Sequence, residues 1–373
     1  MRSVIKDDII YQQLEILEKF LAENTESDIK EAANYLYDRV MINLDKLKNT
    51  KDEHLTLRFK VIQNQLIKYL ESPKSEKKII FIMNSTEMAF SKTAGLADKL
   101  RGVVSVYKIA KELGIDFFLL WDYPVDIKNY LIPNTYNWMI KEEDIIIYKL
   151  ENSFTVNPNK SIFYNFSTYF GKFDIESLKD NFKYLLQKWD QIHTFTNQIY
   201  FTNEEFGGLF NELFKPTNEL QANINHHLSQ MDNQFISATF RFRSLLGDFV
   251  EGVDLSLPVI EQEKLIDRCI KHLINLHESN IEKQILVTSD SIRFLEKIKN
   301  YDFVYVIPGT VVAHYGHNPG HSVDVYMKSF LDFFLLTYSK CIYLIVDGKM
   351  YESGFPKIAA LIHNTPLKII YNR

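Results

Sequence analysis

Cysteine is scarce: Cys269 and Cys341 are the only two in 373 residues, far apart in the chain. With no CxxC pair and no Cys/His ligand spacing, they argue against a zinc site and a disulfide scaffold, and they suit the cytosol. Long apolar runs are missing too. The most apolar late stretch, 330–346, is interrupted by Asp332, Ser339 and Lys340, and no segment reaches the roughly 20 apolar residues that a membrane span needs. The opening MRSVIKDDIIYQQ lacks the apolar core of a signal peptide. Nor is positive charge in excess. Lys+Arg 43 against Asp+Glu 48 gives a net charge of −5, so no general basic field recommends nucleic acid as a partner. A local basic pocket for one anionic ligand stays open.

Apolar and aromatic residues, by contrast, are plentiful. They make up 46% and 14% of the chain, with 21 Tyr and 27 Phe, ample for large cores. The length suits two domains. Residues 1–75 read as helices alone: Ile16, Leu17, Phe20 and Leu21 share one face, Ala33, Tyr35, Leu36 and Val40 continue the spacing, and 55–70 gives a further helix. SPKSEKK (72–78) reads as a linker. Strand patterns then begin at KIIFIM (78–83), DFFLLWD (116–122), DIIIYKL (144–150), SIFYNFS (161–167) and QIHTFTN (191–197), with a helix from Leu96 that stops at Gly114.

From Phe235 the alternation is cleaner. FISATFRF (235–242), QILVTS (284–289), FVYVIP (303–308), CIYLIV (341–346) and LKIIY (367–371) are predicted strands, separated by helices over 259–277, 291–299, 323–339 and 355–363. The expectation is an α/β protein: a helical extension over 1–75, an α/β domain over 78–230 and a Rossmann-like doubly wound domain over 235–373. The strand C-terminal ends would line a cleft between the two α/β domains, where ligands of such sheets bind.

Several turns at those ends carry polar groups. In TFRFRSLLGDF (239–249), strand alternation puts Arg241 and Arg243 on one face and Phe240 and Phe242 on the other. Two guanidiniums there suit a diphosphate; otherwise they are surface arginines paired with Asp248 and Glu251. VTSDS (287–291) places Ser289 and Asp290 where a strand meets a helix, either as a helix cap or with Asp290 accepting two N–H bonds from a guanine edge. In DGKMYESGFPKIAAL (347–361), Ser353 and Gly354 open a helix and offer a hydroxyl and N–H groups to an anion, or simply cap it with Pro356 in the first turn. HYGHNPGH (314–321) holds three histidines, but its Gly/Pro content describes a loop over the cleft, and no metal is expected. GLADKLRG (95–102) is neither a GxGxxG turn nor a GxxxxGK[ST] loop. There Gly95 permits a sharp turn, while Asp98 and Arg101 form an i,i+3 ion pair or face the cleft mouth.

In this order the motifs resemble the fucosyltransferase superfamily of GT-B type, which includes the nodulation and core α1,6-fucosyltransferases and the protein O-fucosyltransferases. GLADKLRG is similar to the GLADRLRG-like opening of bacterial members from surface-glycan loci. ATFRF matches the family's arginine-bearing strand, LVTSDS its Asp-ended strand, and DFFLLTYSKC with YESGF its late D–x–LLS–C–SgF pattern. The resemblance covers roughly residues 78–370, and the first 75 residues have no counterpart in it. It implies two Rossmann-like domains facing a cleft and an inverting, metal-independent transfer of fucose from GDP-fucose to a glycan acceptor of a bacterial surface polysaccharide, with no cofactor. Arg241 would neutralise the departing GDP, helped by Arg243. Ser353 and Gly354 would hold phosphate oxygens, Asp290 would select guanine with Ser289 beside it, and Gly95 and Arg101 would face the donor sugar. Asp98 is the candidate general base, with Glu87 behind it. The expected setting is cytoplasmic, peripheral to the inner membrane, with the N-terminal helices available for a homodimer contact. Two departures are plain: Thr239 stands where the family carries His, and TSD has one acid where some members have two. They keep open another nucleotide sugar as donor, or a glycan-binding relative without turnover.

Overall fold

The structure, a computed structural model, describes residues 2–47, 53–71, 77–83, 95–141, 144–145, 148–150, 153–155, 161–165, 175–197, 202–231, 234–249, 254–281, 283–308 and 323–372. Its contacts divide the chain into two compact units. One comprises Met1–Ile82, Ile109–Leu120 and Met139–Phe195; the other comprises Met83–Lys108, Trp121–Trp138 and Thr196–Arg373.

The first unit opens with α1 (Arg2–Glu23), α2 (Glu26–Leu47) and α3 (Glu53–Glu71). Leu14, Leu17 and Leu21 meet Ile29, Leu36 and Val40 and then Leu55, Phe59 and Leu66 in one apolar cluster. Two residues expected on the core face are exposed instead: Ile16 at 66% and Tyr35 at 61%. Each neighbours a buried residue, and one helical step of about 100° turns it away from the stripe. Arg58 closes the bundle by a forked pair with Glu18 at 3.0 and 2.6 Å.

Further along the chain come β1 (Lys78–Met83), α4 (Leu96–Leu113), β2 (Asp116–Trp121), β3 (Leu131–Pro133), β4 (Tyr148–Leu150), β5 (Ser153–Thr155), β6 (Ser161–Asn165), α5 (Ile175–Lys188) and β7 (Gln191–Phe195), of which β3 and most of α4 belong to the second unit. The helix α4 ends where its sequence says it should. Gly114 takes φ 66°, its N–H bonds Lys111 O and the Ile115 N–H bonds Ala110 O, a Schellman stop. The first sheet has the order β2-β1-β7-β6, with β7 parallel to both neighbours. All five residues of β7 are buried, His193 among them. Its Nε2 meets Gln191 Oε1 at 3.0 Å, its Nδ1 has no partner, and burial pulls its pKa down from 6.5 to about 3.

The second unit holds α6 (Asn203–Leu213), β8 (Phe214–Pro216), α7 (Asn218–Gln230), β9 (Phe235–Phe240), α8 (Val259–Glu278), β10 (Gln284–Ser289), α9 (Ile292–Ile298), β11 (Val304–Tyr305), α10 (Val323–Tyr338), β12 (Ile342–Asp347), α11 (Gly354–Ile362) and β13 (Leu367–Asn372). β3 and β8 form a small antiparallel pair here. The main sheet is parallel throughout, in the order β11-β10-β9-β12-β13. Numbered from β9, that is 3-2-1-4-5, a doubly wound order. All six residues of β9 are buried, as expected of a central parallel strand covered on both faces. The strand expected over 303–308 shrinks to Val304–Tyr305 at the sheet edge; Pro308, without an N–H, cannot extend a ladder.

Gly207 of α6 lies against the C-terminal end of α11. A Cβ there would stand 2.6 Å from the carbonyl oxygens of Leu361 and Ile362, so the helices approach as closely as they do only because the side chain is missing. Among the described residues, no helix is long and apolar enough to cross a membrane.

Two measurements check this account. Gly207→Ala should destabilise the protein by about 1–3 kcal/mol, visible as a lower denaturant midpoint. For His193, the unfolded chain takes up a proton near pH 6.5 and the folded chain only near pH 3. Stability is therefore complete above pH 6.5 and falls as pH drops towards 3, by up to about 1.4 kcal/mol per pH unit. His193→Gln, which does not titrate, should flatten that part of the profile.

Candidate active site

In the main sheet of the second unit, the strand order reverses between β9 and β12. Doubly wound sheets take their ligands outside the C-terminal ends of the strands at such a reversal. The chain leaves β9 at Arg241 and β12 at Gly348. A main-chain bond laces the two exits together, from Tyr351 N–H to Arg241 O at 3.0 Å.

Arg241 and Arg243 are not strand residues, because β9 ends at Phe240. The expected alternation stops there: Arg243 turns into the left-handed region, φ 55°. The neighbouring strand supplies the cause. Asp290, just past the end of β10, accepts the N–H of Phe242 at 2.8 Å and that of Arg243 at 2.6 Å, drawing both away from the ladder direction. Phe240 and Phe242 still share a side, their rings 6.4 Å apart and both against Phe294.

Arg241 places Nη1 3.2 Å from Asp290 Oδ2 and its guanidinium 5.2 Å above the Phe249 ring. Arg243 lies 5.3 Å above the ring of Tyr351. The sequence singled out neither aromatic, since no local pattern marks a ring that a distant arginine will cover. Asp290 is 4% exposed. Burial pushes its carboxyl above the ordinary range, opposed first by Arg241 and then by the N–H groups. Where a guanine edge was expected, each oxygen faces a main-chain N–H of the loop after β9.

The caps are sorted differently from expectation at β10. Neither Ser289 nor Asp290 caps α9; Ser291 does, accepting Phe294 N–H at 3.1 Å. Ser289 instead accepts Ser291 N–H at 3.1 Å. Asp248, a possible partner for the arginines, accepts Ser291 Oγ at 2.8 Å and Arg293 N–H at 2.9 Å. At β12, Ser353 does cap α11, its Oγ accepting Phe355 N–H at 3.2 Å, with Gly354 the first helical residue. One exit therefore brings a guanidinium and the other a helix N-terminus with a hydroxyl, both favourable to a phosphate.

At the start of α4, Gly95 O accepts Lys99 N–H at 3.0 Å. Asp98 and Arg101 form the i,i+3 pair at 2.8 Å, and Arg101 Nε donates to Asn197 O at 2.6 Å. Asp98 and Arg101 thus meet each other, and Arg101 also meets Asn197. Glu87 and HYGHNPGH lie outside the described residues.

Among solved structures, this chain is similar to a variant of FUT1 from Arabidopsis thaliana in complex with GDP. The TM-score is 0.51 at 13% identity, over 90% of this chain and 79% of that one. The fold is GT-B-like. Weaker likenesses join NodZ α-1,6-fucosyltransferase co-crystallised with GDP (TM-score 0.45, 14% identity, 78% of this chain and 93% of that one). Another is POFUT1 in complex with GDP-fucose (0.46, 10%, 81% and 100%). No family model matches the sequence, and a search of curated proteins finds no relative.

Within this GT-B-like fold, Thr239 has a settled place. It lies opposite Thr288 in the β9–β10 register, and their hydroxyls meet at 2.9 Å, buried. The two strands thus share a hydroxyl pair. Thr239→Val should cost about 1–2 kcal/mol by leaving Thr288 unsatisfied. Adding Thr288→Val should recover most of it, a non-additivity that a double-mutant cycle in urea measures.

Proposed function

We propose that this chain is a glycosyltransferase whose donor is a nucleoside-diphosphate sugar, GDP-fucose first, and that it transfers the sugar to a glycan acceptor. One observation carries the reading: at the point where the main sheet reverses its strand order, Arg241 and the Ser353-capped start of α11 flank the two exits, joined by the Tyr351–Arg241 main-chain bond. A guanidinium binds phosphate oxygens through forked, charge-assisted hydrogen bonds, and a helix N-terminus adds N–H groups and a favourable dipole. The GT-B-like fold supports the same class.

In this reading the acceptor hydroxyl attacks the anomeric carbon as the bond to the diphosphate breaks, with inversion and without a metal ion. Negative charge grows on the departing diphosphate. Arg241, with Ser353 Oγ and the Gly354 N–H, meets that charge, so the stabilisation is greatest in the transition state. Arg243, over Tyr351, borders the same loop. Asp98 is the proposed base, and its 2.8 Å pair with Arg101 must open for it to take the proton. The proposed setting is the cytoplasmic assembly of a bacterial surface polysaccharide.

A second reading changes the donor's base. The observation that favours it is that both Asp290 oxygens accept main-chain N–H groups, so the carboxylate expected to select guanine is turned towards its own chain.

Calorimetric titration with GDP and UDP in chelator-containing buffer tests both. We expect GDP to bind in the micromolar range and Arg241→Ala to weaken it by about tenfold or more. Tighter binding of UDP selects the second reading. Binding of neither overturns the proposed donor site.

A further inference from the structure

We infer that Asp290 is a positioning residue, which fixes the loop after β9 in the shape that receives a diphosphate. This rests on the reading of Arg241 as a phosphate ligand. A carboxylate offers about four lone-pair positions, and the loop after β9 engages three: Phe242 N–H at 2.8 Å, Arg243 N–H at 2.6 Å and Arg241 Nη1 at 3.2 Å. Three consecutive residues are thus tied to one side chain of the neighbouring strand.

The backbone shows why a tie is needed. Arg243 has φ 55°, a region that residues with a Cβ enter at a cost and hold only where their surroundings fix them. The short bond from its N–H to a buried carboxylate is such a constraint, and stacking of its guanidinium on Tyr351 is a second. The Tyr351 N–H in turn holds Arg241 O. The loop is therefore pinned from β10 by Asp290 and from the β12 exit by Tyr351, with Arg241 between the two pins.

Reading a base and pinning a loop make opposite demands on one carboxylate. A base reader keeps both oxygens turned to the ligand, whereas a pin turns them to its own chain. The test uses the full chain, wild type and Asp290→Asn, a near-isosteric change that removes an acceptor. Two ligands are titrated: GDP and inorganic pyrophosphate, which has no base. Amide hydrogen exchange of residues 241–245 is measured without ligand.

The expected result is that Asp290→Asn weakens GDP and pyrophosphate by the same factor, about tenfold or more, and that the Phe242 and Arg243 amides lose protection. A loss confined to GDP overturns the proposal in favour of base reading, and unchanged amide exchange also overturns it. Should the wild type bind neither ligand, the phosphate reading falls by itself, and the exchange measurement alone then decides whether Asp290 pins the loop.

Discussion

The central strand β9 has neither a free face nor a free edge. Its six residues are buried, with β10 paired along one side and β12 along the other. Such a strand can present chemistry only at its end, where the ladder stops and the main-chain N–H groups need new partners. Asp290 takes two of them and faces Arg241 as well. This one buried carboxylate meets the chain where the strand ends, at the left-handed turn of Arg243 and beside the Arg241 guanidinium.

The β12 exit is held by a second buried carboxylate. Asp347, the last residue of β12, is 1% exposed. Its Oδ1 accepts from Arg268 of α8 at 2.8 Å, and its Oδ2 meets Asn372 of β13 at 2.6 Å and His272 at 3.4 Å. A buried charge is tolerated when its lone pairs are matched in this way. The strand end is thereby tied to a helix and to its neighbouring strand just before the chain turns towards Ser353. The helix that Ser353 opens is located at its far end by the approach of Gly207. Both elements of the proposed donor site thus stand on fixed ends, as a site that is to meet developing charge without rearranging requires.

Much of this architecture was legible in the sequence. The strands from Phe235 onward were short apolar runs bounded by turn residues, and the helices between them kept a 3.6-residue period, because burial on both faces of a parallel sheet imposes those patterns. Gly114 and Ser353 announced a helix end and a helix start through local backbone and capping chemistry. Arg241 was legible as a guanidinium at a strand's end. What failed was extrapolation: alternation was carried past Phe240 to Arg243, and a helical face was drawn through Ile16 and Tyr35, although each lies one residue from the buried stripe.

By itself the sequence determined the α/β class, the strand and helix order of the second unit, and the turns at which polar groups gather. These are set by local propensity and by the periodicity that one-sided or two-sided burial demands. Only the tertiary structure decided the strand order, and with it which turns meet. It also decided that Asp290 faces main-chain N–H groups, that Ser291 and not Ser289 caps α9, and that Thr239 finds Thr288. The Asp290 and Thr239 pairings join residues 47 to 49 positions apart in the chain, whose distance depends on strand register rather than on either residue's neighbours, so no single stretch of sequence encodes them.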